Sequence, residues 1–304
     1  MSFDTPIKKN VFTNNCYFLS IIHLICNLMF YDLMIHLNTD VIFENDFLQT
    51  LYHILMQYET DNVDIEMLDK LRTFIQANNI EFQNDQDGQK DASEYLNMIL
   101  NKLEDSLDEI TNNKKKNLEC WKGRMGKDED SDDYSKFSNI LLFADKHYLL
   151  PEYAVTTIED TFIENYENKI VEKDGKSLFP KIVSSNFITL TLANLNFNDT
   201  KTLYDLIHEQ YKLITKPQKL LITINREHNH NKNKSVNLEM EDYNLKGMIV
   251  HLGDDAESGH YVFILNDYEN IWWEYSNFQK KQIEIYSNLN DYQKGCTILI
   301  YYRN

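Results

Sequence analysis

Hydrophobic positions recur with two different periods along the chain, and the change between them divides it. From residue 16 to about 110 the spacing is helical: "FLQTLYHILMQY" (47–58), "IEMLDKLRTFIQ" (65–76) and "ASEYLNMILNKLEDSLDEI" (92–110) repeat apolar residues every three or four positions. After about residue 180 the pattern turns to β. "NFITLTLANL" (186–195), "KLLITINRE" (219–227), "YNLKGMIVHLG" (243–253), "HYVFILND" (260–267), "IWWEYSN" (271–277) and "CTILIYYRN" (296–304) have the alternation and the β-branched and aromatic content of strands. One helical pattern, "KTLYDLIHEQYKLI" (201–214), sits among them. Helices first and strands afterwards predict an α+β fold with an antiparallel sheet.

Between the two halves, Lys114–Lys116 and the acidic "KDEDSDDYS" (127–135) read as solvated loops, with "NLECWKGRM" (117–125) unassigned between them. The most apolar stretch runs without formal charge for 16 residues, from Cys16 to Tyr31. A membrane-spanning helix needs about 18 or more, and His23 and Asn27 interrupt this one, so it predicts a buried helix with Asn14 or Asn15 as its N-cap.

Composition narrows the class. A chain of 304 residues that is 42% hydrophobic can bury a substantial core. Its four cysteines have no regular spacing, so they predict free thiols in a reducing intracellular compartment, cytoplasm or nucleus. The net charge of −18 argues against nucleic acid or an anionic membrane as partner and favours a basic one. No Gly-rich phosphate loop and no metal-ligand spacing is present, so neither a cofactor nor a metal is expected. His228 and His230, in "EHNHNKNK", come with no cysteine or carboxylate at a recognised interval.

The start of the apolar helix carries candidate chemistry. A cysteine in a first helical turn meets the positive end of the macrodipole and unpaired backbone N–H groups, which favour the thiolate and can serve an oxyanion. Taken alone, Cys16 beside Phe18, Leu19, Ile21 and Ile22 reads as core. Among nine histidines, His23, His36 and His53 fall in helical segments and read as satisfied core or surface residues. His260 differs: it follows "DDAESG" and begins a strand, so a turn delivers an imidazole to a sheet end, a common place for a general base.

At these residues the chain resembles the ubiquitin-specific proteases. "NNCYFLSII" is similar to their cysteine box and "GHYVFILNDYENIWWEYSN" to their histidine box. "GQKDASEYLNMIL" resembles the box between them, and "KPQKLLITINRE", "YNLKGMIVHLG" and "NFITLTLANLNFNDTKTLYDLI" resemble the strands and helix that precede the histidine. "NNCY" also resembles the coronavirus papain-like proteases, which share the fold, but "QKDASEYL" favours the cellular-type family. The resemblance runs from Cys16 to Tyr275.

It implies a papain-like fold in one catalytic domain, residues 1–304, with a helical thumb (about 1–115), an insert with reduced fingers (about 116–185) and an antiparallel β palm (about 186–304). It implies a deubiquitinating thiol isopeptidase acting on ubiquitin or ubiquitinated proteins, with Cys16 as nucleophile and His260 as base. Asp91, Glu94 and Tyr261 match positions that bind the ubiquitin tail. The third catalytic position, usually Asp or Asn, is Ser276 here, with Asn277 behind it. The family's oxyanion asparagine falls at Val11, leaving Asn10, Asn14 and Asn15 as candidates. The paired CxxC motifs of a finger zinc are absent, since only Cys120 lies between the boxes. These departures keep two alternatives open: a protease for another ubiquitin-like modifier or a viral polyprotein, and a catalytically dead ubiquitin-binding module.

Overall fold

The four apolar-periodic segments of the first 125 residues form helices: α1 (Cys16–Leu24), continued by a π-helical turn (Ile25–Met29), α2 (Asp46–Glu59), α3 (Ile65–Gln76) and α4 (Ala92–Met125). The computed structural model describes residues 2–4, 15–30, 32–33, 45–60, 62–77, 91–125, 155–159, 171–173, 176–178, 182–185, 187–192, 201–213, 216–226, 234–253, 259–277 and 279–304. The acidic run at 127–135, His36, His228, His230 and the "DDAES" stretch lie outside them. Every residue of α1 is buried, as a helix apolar on most of its circumference requires. No described helix is long and apolar enough to cross a membrane.

Among the first three helices, side-chain capping explains the starts of α2 and α3 and is missing from α1. Asn45 Oδ1 accepts from the amides of Phe47 and Leu48 at 3.0 and 3.1 Å, and Asp64 Oδ1 accepts from Glu66 at 3.0 Å. Asn15 stands at the N-cap of α1, but its side chain makes no capping bond. Asn14 lies outside the described residues.

The structure corrects the loop at Lys114–Lys116: α4 runs unbroken for 34 residues through the lysines to Met125. No proline falls within it and its first glycine is Gly123, while Lys, Leu and Glu are good helix formers.

A short strand, β1 (Ser2–Asp4), precedes the helices. After α4 come β2 (Val155–Glu159), β3 (Val171–Lys173), β4 (Lys176–Leu178), β5 (Ile182–Ser185) and β6 (Ile188–Thr191), then helix α5 (Leu203–Gln210) and β7 (Tyr211–Leu213). The chain ends with β8 (Lys219–Asn225), β9 (Tyr243–Leu252), β10 (His260–Asn266), β11 (Trp272–Ser276), β12 (Gln279–Ile283), α6 (Leu289–Gly295) and β13 (Cys296–Arg303). The helix expected over 201–214 therefore stops at Gln210, and its tail becomes β7, which pairs antiparallel with β2. A waiting sheet edge outweighs weak helical preference in "YKL".

Eight strands make one sheet in the order β1-β12-β11-β10-β9-β13-β8-β6; every pairing is antiparallel except the parallel β6–β8 edge. β5-β2-β7 form a separate three-stranded sheet, and β3 pairs antiparallel with β4.

The sheet is covered on both faces. Tyr261, Phe263 and Leu265 of β10 join a core with α1 through α4, while Val262 and Ile264 join a second core with α5 and α6. This period-two division explains why β8 and β10 read as nearly continuous apolar runs. α1 lies between α4 and the strands β9, β10 and β11. Just past its end, Asp32 accepts from Lys219 of β8 through both carboxylate oxygens, at 2.6 and 2.7 Å.

Candidate active site

Cys16 is the first residue of α1, 7% exposed, with its thiol in no disulfide. The thiol therefore stands at the N-terminal end of the helix, where the first-turn amides have no acceptor within the helix itself. α1 packs against β10 and β11, the strands that begin with His260 and end with Ser276, and Cys16 lies close enough to Tyr261, the residue after His260, to act on its phenol.

His260 opens β10 opposite Leu252 of β9. The residue before it has to be glycine. Gly259 holds φ +153°, and a Cβ there would lie 2.5 Å from the Leu252 carbonyl oxygen and 2.6 Å from His251 Nε2. His260 Nε2 lies 2.9 Å from Ser276 Oγ. With the Nε2 proton donated to that hydroxyl, Nδ1 is the basic nitrogen left for a thiol proton.

Asn277, the other candidate for the third position, is used differently. Its backbone carbonyl accepts from His23 Nε2 at 2.8 Å, and its side-chain Oδ1 is buried with no hydrogen-bond partner. The contact to His260 thus comes from Ser276.

The three expected substrate-binding residues converge beside the thiol. Tyr261 is buried against the start of α4, where its hydroxyl meets the Ala92 amide. Burial first, then the charges of Asp91, Cys16 and Glu94, hold its phenol well above the ordinary range. Its ring lies 4.6 Å from that of His251. Asp91 Oδ1 accepts from the Ser93 amide and hydroxyl, both at 2.7 Å, and so caps α4. Glu94 is exposed on the first turn of α4. Of the oxyanion candidates, Asn15 is buried directly before the thiol; Asn10 and Asn14 lie outside the described residues.

Sequence reasoning missed a polar network around the far end of α1. His23, fully buried in α1, accepts from the Tyr58 hydroxyl at Nδ1 (2.7 Å) and donates from Nε2 to Asn277. Asn27, in the π-helical turn, donates to the Tyr58 oxygen at 2.9 Å and to the His23 carbonyl at 2.7 Å. Burial is the main reason the His23 imidazole drops to about 4 and stays neutral. The available signal was a histidine and an asparagine inside an uncharged apolar run, since buried polar groups need partners.

A helix-start thiol packed against a sheet end that carries an imidazole and its hydrogen-bonding partner defines a papain-like thiol hydrolase fold. Residues 8–301 match the family described as ubiquitin carboxyl-terminal hydrolase, and the chain belongs to it as a member of the ubiquitin-specific protease type. No curated protein sequence matches the chain.

Solved structures of similar fold include the SAGA Ubp8/Sgf11/Sus1/Sgf73 DUB module, 14% identical with a TM-score of 0.59 over 99% of this chain and 68% of that one. The same module bound to ubiquitin aldehyde is 13% identical with a TM-score of 0.58, over 96% and 68%. An essential yeast splicing factor is 16% identical with a TM-score of 0.55, over 95% and 67%. At these identities the likeness shows the fold.

Proposed function

We propose that the protein is a deubiquitinating thiol isopeptidase that cleaves the bond after the C-terminal glycine of ubiquitin. The observation that carries this reading is the 2.9 Å contact between His260 Nε2 and Ser276 Oγ, on the two strands against which α1, the helix that begins with Cys16, packs. His260 Nδ1 takes the Cys16 proton, and the thiolate adds to the glycine carbonyl carbon. The tetrahedral intermediate expels the lysine amine, which receives that proton from His260 and leaves a thioester. Water, deprotonated by His260, then releases the glycine carboxylate and restores the thiol.

The Cys16 backbone amide and one of Asn10, Asn14 or Asn15 would face the oxyanion. Asp91 and Glu94 supply negative charge beside Tyr261, complementary to a basic substrate tail, in line with the overall charge of −18.

A second reading is a ubiquitin-binding module without turnover. The neutral Ser276 in place of a carboxylate favours it, since a fold by itself does not fix an activity.

Reaction with ubiquitin bearing a thiol-reactive C-terminal warhead tests both. The hydrolase reading expects one covalent adduct, lost in Cys16→Ala and slowed in His260→Ala. Binding without adduct would establish the module instead. Reaction with the warhead of another modifier alone, or cleavage of viral polyprotein peptides alone, would reassign the substrate and leave the mechanism standing.

A further inference from the structure

The nucleophile helix carries a second functional group, and it reaches the other end of the site. Cys16 and His23 are seven residues apart on α1, two helical turns, so they share one face of the helix. Along it His23 meets Tyr275 and Asn277 at the end of β11, and Cys16 lies near Tyr261 of β10. His23 spends its Nε2–H on the carbonyl of Asn277, the residue after Ser276. Asn277 sits in the left-handed region at φ +52°, a conformation that asparagine tolerates better than most residues. The turn leaving β11 is therefore held in a special backbone geometry by a donor on the helix that carries the thiol.

The donor itself is locked. A carbonyl only accepts, so Nε2 must carry the proton and Nδ1 must accept from Tyr58. Tyr58 is held in turn by Asn27, and the Tyr275 hydroxyl reaches Asn27 Oδ1 at 3.5 Å. The Tyr275 ring lies 5.1 Å from that of His23. Residues 275 and 277, on either side of Ser276, are thus tied to the same polar cluster.

We propose that His23 is a positioning residue for the His260–Ser276 pair, fixing through Asn277 where the Ser276 hydroxyl stands beneath the imidazole. A serine is short, neutral and held to the imidazole by one bond, so its placement depends on its backbone more than a bidentate carboxylate would. The thiol and the group that orients its base are then registered to each other by a single rigid helix. The inference rests on the reading of Cys16, His260 and Ser276 as the catalytic group, and its test has one arm that needs no substrate.

The variants are His23→Phe, which fills the space but removes the donor, His23→Gln, whose amide offers one donor and one acceptor, and Tyr58→Phe, which frees the tautomer. Each is made alone and with Ser276→Ala. With a fluorogenic ubiquitin amide, His23→Phe should lower kcat by about 10- to 100-fold and change KM less than about twofold. His23→Gln should recover most of the loss. In the Ser276→Ala background the His23→Phe loss should largely vanish, because the residue acts through Ser276.

The arm without substrate is NMR of the His260 imidazole, whose side-chain resonances should move in His23→Phe in the direction they move in Ser276→Ala. If His23→Phe does not fold, the Tyr58→Phe cycle and spectrum decide by the same criteria. Losses that multiply, or a His260 signal that ignores these changes, would overturn the proposal. Failure of the wild-type chain to process ubiquitin would defeat the hydrolase reading, and the NMR comparison would still decide this one.

Discussion

His260 Nε2 and Ser276 Oγ are 2.9 Å apart, so the imidazole is oriented by a hydroxyl where a carboxylate would add charge. A hydroxyl selects the tautomer but gives an imidazolium no ionic stabilisation. Ser276→Ala should lower kcat by about 10- to 100-fold with KM nearly constant. Ser276→Asp, which adds the missing charge, should retain or exceed wild-type kcat. Steady-state hydrolysis of a ubiquitin C-terminal amide measures both, and an unimpaired Ser276→Ala would remove Ser276 from the mechanism.

Gly259 is the second point of control. A Cβ would meet the Leu252 carbonyl oxygen at 2.5 Å and the His251 ring at 2.6 Å, at a φ of +153° that side chains avoid. Gly259→Ala should destabilise the fold by about 1–3 kcal/mol, and displace His260 at the start of β10. The expected result is a lower midpoint of thermal unfolding together with a loss of warhead reactivity larger than the stability change explains.

Protonation of His23 should make the fold acid-sensitive. Its imidazole titrates at about 4 in the folded chain against an ordinary 6.5. Between these values the unfolded chain binds the proton and the folded chain does not. The stabilisation from a neutral His23 is therefore complete above about pH 6.5 and is lost as pH falls toward 4. Its size is on the order of 3 kcal/mol. Urea unfolding at intervals from about pH 7 to about pH 4 should show this component in the wild type and lack it in His23→Gln.

The buried ion pair between Lys219 and Asp32 joins the end of the α1 segment to β8, with Asp32 only 7% exposed. Lys219→Met leaves that carboxylate without its cation and should cost about 3–5 kcal/mol. Lys219→Met with Asp32→Leu, which removes both charges, should recover much of the loss in denaturant titrations.

Legibility of the site followed the range of the signal. The place of Cys16 in the fold was readable because the start of an apolar run marks a helix N-terminus, and that of His260 because a glycine followed by an apolar run marks a strand entry. The helices were readable as far as their apolar faces ran. β12, "QKKQI", has no such face: three of its five residues are exposed, and it is a strand because β11 offers it an edge. The tail of the 201–214 segment turned to β for the same reason, on β2.

The choice between Ser276 and Asn277 shows the same division more closely. Two adjacent residues at a strand end differ by one step of register, and the pairing of Phe263 with Tyr275 decides which of them reaches the imidazole. His23 stands further from legibility, because the carbonyl that explains it lies 254 residues away. Local periodicity and residue chemistry determined the elements, the thiol and the imidazole, since each is written in a few neighbouring positions. The tertiary structure alone decided the hydroxyl under His260 and the brace beneath it, because hydrogen-bond partners are set by the packing of segments the chain order keeps apart.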